Sequence, residues 1–249
     1  MGVMPTALVL QTSDDRPVGL LGAWGPARGI ALDIIRADRW SPLPDPVDYL
    51  FAVALSSDTS LADPWPPWVA DEIEWIRTAH ELGVPVLGIG VGAQALAVAL
   101  GGSVQRLTGP EPEWIEIDTR EPRRLPAGPW LALHEDAITP PNGAEELARD
   151  GSGPLAFAVG FHLGLRFHPE ATPALLARWL RGRHGHDAGM LCEERRHRAA
   201  TLTAAIELFD AFAIGAGLRL GTQGSADAAL GAALKCPQGR PTFAPFTTP

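Results

Sequence analysis

Cys192 and Cys236 are the only cysteines in 249 residues. They lie far apart, in polar or Pro/Gly-rich surroundings, which excludes a disulfide framework and a CxxC metal pair and fits a reducing, cytoplasmic setting. Basic residues are in deficit as well, with 20 Lys and Arg against 29 Asp and Glu and a formal net charge of −9. Nucleic acid and anionic membrane are therefore not expected partners, because both draw on a surplus of Lys and Arg. No uninterrupted apolar run approaches the roughly 18 residues that cross a bilayer, and no basic segment leads into an apolar stretch and a cleavage site. The expectation is an unexported protein without a membrane segment. Internal repeats are absent.

The apolar residues that are present come in short runs. Ala7–Gln11, Ala31–Ala37 and Tyr49–Leu55 are bounded by Pro, Asp and Ser and read as strands buried on both faces, as in a parallel sheet. Room for one helix separates the first two. Pro67–Leu82 opens with proline, ends before Gly83 and places Val69, Ile73, Ile76 and Ala79 on one face, which predicts an amphipathic helix. Another strand follows from Val84, so the first hundred residues alternate strand and helix in the doubly wound manner. After Gly102, "WIEIDTR", "WLALHEDAI" and "LAFAVGFHLGLRF" predict shorter, more antiparallel strands. Helices are expected over about Pro173–Leu180 and Glu193–Ala213. One domain over 1–214 accounts for this pattern, and the Gly/Ala/Pro-rich remainder, 215–249, reads as an extension packed on it.

Chemistry concentrates at "GVPVLGIGVGAQALAVALGG", which begins at Gly83. A strand stops at Gly88, Gly90 and Gly92 and a helix resumes. An α/β enzyme exposes a nucleophile on such a strained corner, yet the residue at its centre, Gly90, has no side chain. Three more segments follow in order: "EPEW" (Glu111–Trp114), "HEDAITPPNGAEELA" from His134, and "FHPE" (Phe167–Glu170).

Together these four segments resemble the class I glutamine amidotransferase family, with its G-x-C-x-G-x-Q elbow, later H-G-D segment and terminal F-H-P-E. The resemblance runs from about Ala7 to Leu180. It implies a flavodoxin-like α/β fold, a mostly parallel sheet flanked by helices. His168 and Glu170 match the base and orienting carboxylate of the family's Cys-His-Glu triad, and Gly90 stands where the nucleophilic cysteine belongs. Gln94 matches a glutamine of the substrate-binding part of the elbow, which also includes Val91. The family's L-G-G-P oxyanion loop corresponds to Leu55, Ser56, Ser57 and Asp58. E-I-G-W has become Glu111, Pro112, Glu113, Trp114, and H-G-D has become His134, Glu135, Asp136. Ser56, Ser57, Val91, Gln94, Trp114 and His134 are thus the expected substrate-binding residues. Thioester chemistry needs a thiolate activated by a neighbouring histidine, and Gly90 supplies no atom for it.

Two functional readings stay open at this point. One is a small-molecule-binding or scaffold protein beside a synthase or ligase partner. The other is a repurposed enzyme in which His168 and Glu170 do acid/base work on a different, carboxylate-bearing substrate. No cofactor is expected. G-x-G-x-G misses the dinucleotide spacing, and "RHGHD" (Arg183–Asp187) lacks a third well-spaced metal ligand.

Overall fold

The computed structural model describes residues 4–39, 42–107, 112–133, 135–181 and 187–219. Expectations for Glu111, His134, the histidines of "RHGHD", Cys236 and the extension beyond Arg219 lie outside the described residues.

The first strands form as their apolar runs predict: β1 (Thr6–Gln11), β2 (Ala31–Arg36), β3 (Phe51–Ala54) and β4 (Val86–Ile89). They alternate with helices α1 (Leu21–Ala27), α2 (Pro67–Glu81) and α3 (Val91–Ala99). Later come β5 (Ser103–Arg106), β6 (Glu113–Ile115), β7 (Trp130–Ala132), β8 (Asp136–Thr139), β9 (Glu145–Asp150), β10 (Gly153–Val159) and β11 (His162–Leu165), then α4 (Pro173–Trp179) and α5 (Asp187–Gly215). Seven strands make one sheet in the order β2-β1-β3-β4-β11-β10-β9. The first five are mutually parallel, while β10 runs antiparallel to both β11 and β9. Two small antiparallel pairs, β5–β8 and β6–β7, lie outside it.

Period-two alternation divides the central strands between two cores. Ala7, Val9, Phe51, Val53, Leu87 and Ile89 face α1 and α5, where Trp24, Leu208, Phe209 and Phe212 pack. Leu8, Leu10, Ala52, Ala54 and Val86 face α2 and α3. Small residues on that second face let α3 lie against the sheet. A Cβ on Gly92 would sit 2.0 Å from the Ala54 carbonyl oxygen, and one on Gly88 would sit 2.6 Å from that of Gly92. On the opposite face α5 is pinned to α1 by Asp210, which accepts from Trp24 Nε1 at 2.8 Å and from Arg28 Nε at 2.7 Å.

Several expectations need correction. β2 is an edge strand rather than one buried on both faces, and Ile34 is 46% exposed. The run from Trp130 to Ile138 forms two strands, because the chain leaves β7 and returns as β8 to pair with β5. β9 lies within what the sequence presents as a Pro/Gly/Ala stretch, and β10 supplies its hydrogen bonds. α5 begins at Asp187, upstream of Glu193.

The buried face of α2 also holds a charge-bearing group. Glu72 is 3% exposed, and one carboxyl oxygen has no partner among the described residues. Burial pushes its pKa up to about 8. Below pH 4.5 the carboxyl is protonated whether the chain is folded or not. Between 4.5 and about 8 the folded state holds the proton that the unfolded state has lost, so stability falls as pH rises. Glu72→Gln should remove this dependence. The stability of the wild type relative to the variant, from urea denaturation at about pH 5 to 9, should drop by about 1.4 kcal/mol per pH unit through that window and level off above it.

Candidate functional site

The C-terminal ends of β1, β3, β4 and β11 meet at one edge of the sheet, where open α/β sheets place their ligands. Gly90 follows β4 directly, with φ +58° and ψ −115°. That is a strained corner in which a side chain is costly. Its N–H donates to the Leu165 carbonyl at 2.8 Å, and α3 begins at the next residue. The corner is therefore built although no nucleophile stands on it.

The space above Gly90 is occupied by Ser56. A Cβ at position 90 would lie 2.5 Å from Ser56 Oγ, 2.9 Å from Ser56 Cβ and 3.1 Å from His168 Cε1. Ser56 follows β3 and is held by neighbouring strands. Leu55 N–H donates to Leu10 O at 3.0 Å, and Thr12 Oγ1 donates to Ser56 O at 2.9 Å. Its hydroxyl accepts from the Val91 N–H at 3.3 Å. The first amide of α3, which adjoins the corner, is thus already engaged.

His168 and Glu170 lie behind this serine. Both are buried, at 1% and 2% exposure, and His168 Nδ1 is 2.8 Å from Glu170 Oε1. Donation of the Nδ1 proton to the carboxylate leaves the Nε2 lone pair as the basic site. Leu131 O accepts from His168 N at 2.9 Å, and the Trp179 ring packs 5.1 Å from the imidazole. Glu170 Oε2 has no hydrogen-bond partner among the described residues.

In front of Ser56 opens a polar cleft of about 310 Å³, lined by Ser56, Ser57, Gly90, Val91, Gln94 and by residues from four other segments. Ser57 Oγ is used within its own loop, donating to Thr59 O at 3.0 Å and accepting from Thr59 N at 2.9 Å. Gln94 is a buried bridge. Its Oε1 accepts from Leu61 N at 3.1 Å, and its Nε2 donates to Asp136 Oδ2 at 3.0 Å. Trp114 is not part of this group. It lines a separate, largely apolar cavity of about 380 Å³ between α4 and α5, against Leu131, Leu176 and Leu202.

Three arginines that lie in none of the four motifs complete the cleft. Arg106 faces Asp63, Glu135 at 3.2 Å and Asp136 at 3.5 Å. Arg166 is 2% exposed and donates to Pro154 O and Ser152 Oγ, with its Nε unpartnered among the described residues. Arg16 pairs with Asp58 at 3.1 Å and rests 4.9 Å over the Trp179 ring, and its Nη1 has no partner there either. Only Arg166, directly before "FHPE", carried a sequence signal. The described residues contain no group of three His, Cys, Asp or Glu side chains able to hold a metal, and none of their helices is long and apolar enough to cross a membrane.

A stability comparison measures strain and crowding at the corner together. Gly29 and Gly90 both have positive φ, but a Cβ at Gly29 meets nothing within 4 Å. Gly29→Ala should cost about 1–2 kcal/mol from backbone strain alone. Gly90→Ala carries strain plus displacement of Ser56, and should cost at least ~1 kcal/mol more in thermal or urea unfolding.

Comparison with known proteins agrees with this geometry. Residues 62–180 match the family model for glutamine amidotransferase class-I. The chain is 30% identical over 152 residues to the glutamine-hydrolyzing GMP synthase of Aeropyrum pernix, an alignment covering 57% of this chain and 28% of that protein. It is 28% identical over 190 residues to the corresponding synthase of an Azoarcus species, covering 68% and 36%. It is 31% identical over 115 residues to one of the subunits of the glutamine-hydrolyzing GMP synthase of Saccharolobus solfataricus, covering 41% and 61%. The chain thus spans about a third of the length of the first two relatives. Among solved structures, a glutamine amidotransferase from Methylobacillus flagellatus superposes with a TM-score of 0.77 at 20% identity, covering 90% of this chain and 98% of that one. One from Thermotoga maritima gives 0.76 at 19% identity, covering 85% and 99%. The strained corner, the histidine–carboxylate pair at its side, the sheet order and these similarities make residues 62–180 part of a class I glutamine amidotransferase-like domain.

Proposed function

We propose that this protein has an amidotransferase fold without glutaminase chemistry and binds a small carboxylate-bearing molecule in the cleft above Gly90, beside a synthase or ligase partner. The carrying observation is Ser56. It fills the volume that a side chain on Gly90 would need and takes the Val91 N–H. The chemistry therefore lacks its thiol, and the amide beside the corner is already bonded. Removing a triad nucleophile in a comparable hydrolase costs on the order of 10⁶ in turnover. Arg16 and Arg166 line the cleft, and their positive charge favours a carboxylate there. The partner reading rests on the name of the S. solfataricus relative, which is one component of a GMP synthase.

A second reading, acid/base work by His168 and Glu170 on another substrate, draws support from their 2.8 Å contact and deep burial.

The purified protein should release no ammonia from glutamine above background. Gly90→Cys alone should restore little, since Ser56 still stands in the way. Calorimetry with small organic acids and amino acids should find a binder whose affinity falls about tenfold, or about 1.4 kcal/mol, in Arg16→Ala. Native glutaminase turnover would refute the reading. Strong rescue by Gly90→Cys would show that the site is still built for the thiol.

A further inference from the structure

The second cavity, of about 380 Å³ between α4 and α5, has a volume in the range of small-molecule sites. It shares no lining residue with the cleft above Gly90. Its wall is largely apolar: Leu20, Leu131, Leu176 and Ala205 are buried there, with Leu202 and the Trp114 ring beside them. The polar groups among them are in use. Thr201 Oγ1 donates to Pro129 O at 3.0 Å, Trp114 Nε1 donates to Met190 O at 3.4 Å, and Thr172 Oγ1 accepts from Leu175 N at 3.3 Å as the cap of α4. A sugar or nucleotide placed here would exchange its hydrogen bonds to water for few or none, whereas a hydrocarbon body gains by leaving water.

Charge gathers at one end of the cavity. Along α5 the lining starts with Glu194, Arg195, Arg196 and Arg198 and continues through Thr201 and Leu202 to Ala205, so Arg195 and Ala205 stand about 15 Å apart along the helix axis. Glu194 is neutralised within its own helix, accepting from Arg198 Nε at 2.7 Å and Nη2 at 2.8 Å. Arg195 and Arg196 are exposed, and their guanidinium groups have no ion pair or hydrogen bond among the described residues. In a chain with a formal net charge of −9, this mouth has three arginines against one glutamate. An occupant that suits both ends is long, apolar and anionic at its head.

We propose that this cavity is a binding site for a medium-chain fatty acid anion. The hydrocarbon chain lies along α5 against Leu131, Leu176 and Leu202 and points toward Ala205. The carboxylate meets Arg195 and Arg196 at the mouth, since a guanidinium group pairs with a carboxylate through two parallel hydrogen bonds. An extended decanoate chain covers most of the distance from Arg195 to Ala205. A neutral alcohol keeps the apolar contacts and loses the charge pairing. No bond is made or broken, and no residue of the cleft takes part, so this site is additional to the cleft and independent of what binds there.

Calorimetry on the full chain with hexanoate, octanoate and decanoate, each below its micelle concentration, tests the site. Affinity should rise about fourfold with each added methylene. Arg195→Ala combined with Arg196→Ala should weaken octanoate and decanoate about tenfold and leave 1-octanol unchanged, which separates pairing at the mouth from burial of the chain. Ala199 is exposed at the edge of the cavity, so Ala199→Trp should close it without disturbing the core and abolish binding of acid and alcohol alike. Decanoate that binds no tighter than hexanoate, or as tightly to either variant as to the parent protein, would overturn the proposal. So would octanoate and 1-octanol that respond equally to loss of the two arginines, because the carboxylate would then not sit at the mouth.

Discussion

The site depends on one steric fact, the presence of the Ser56 side chain in the volume directly over Gly90. Position 90 has the backbone geometry of a strained strand-to-helix corner, and Ser56, just beyond the neighbouring strand, fills the place where a side chain on it would go. Neither change stands alone. A glycine at 90 with an empty space above it would leave a void beside a buried imidazole, and Ser56 opposite a larger residue at 90 would clash with it. His168 is buried against its carboxylate, and the Val91 amide donates to the Ser56 hydroxyl.

The same packing shows how a corner of this kind keeps its shape with no side chain at its centre. Gly88 and Gly92 are required by packing, since a Cβ on either would run into backbone atoms of the elbow or of β3. Gln94 joins the loop after Ser56 to Asp136 on β8 through both ends of its amide. These residues hold α3 against the sheet whether or not a reaction takes place there.

The sequence made this architecture legible because the central strands are apolar on both faces and the helices between them carry clear ends. Its limits were physical. β5 is short and polar, and forms because β8 supplies hydrogen bonds from a distance that local pattern does not encode; β9 is largely polar, and pairs with β10 across the tight turn that follows Asp150. β2 has the composition of a buried strand, but its place at the sheet edge exposes Ile34. Within the site, the motif positions of His168, Glu170 and Gln94 are plain in the sequence. Arg16 and Arg106 reach the cleft from remote segments with no motif around them. Trp114 sits in a recognisable segment, yet the packing of α4 and α5 draws it to a different cavity. Ser56 is visible as a departure from the family's glycines, but its role over Gly90 emerges only when β3 and β4 are side by side.

A double-mutant cycle on these two positions tests the central claim most directly. Urea unfolding of the wild type, Gly90→Ala, Ser56→Gly and the double variant gives the coupling between them. The account predicts that Gly90→Ala is less costly once Ser56 has been reduced to glycine, with a coupling energy of at least ~1 kcal/mol. Effects that add to within ~0.3–0.5 kcal/mol would show that the Ser56 side chain does not occupy the space over Gly90, and would contradict the account.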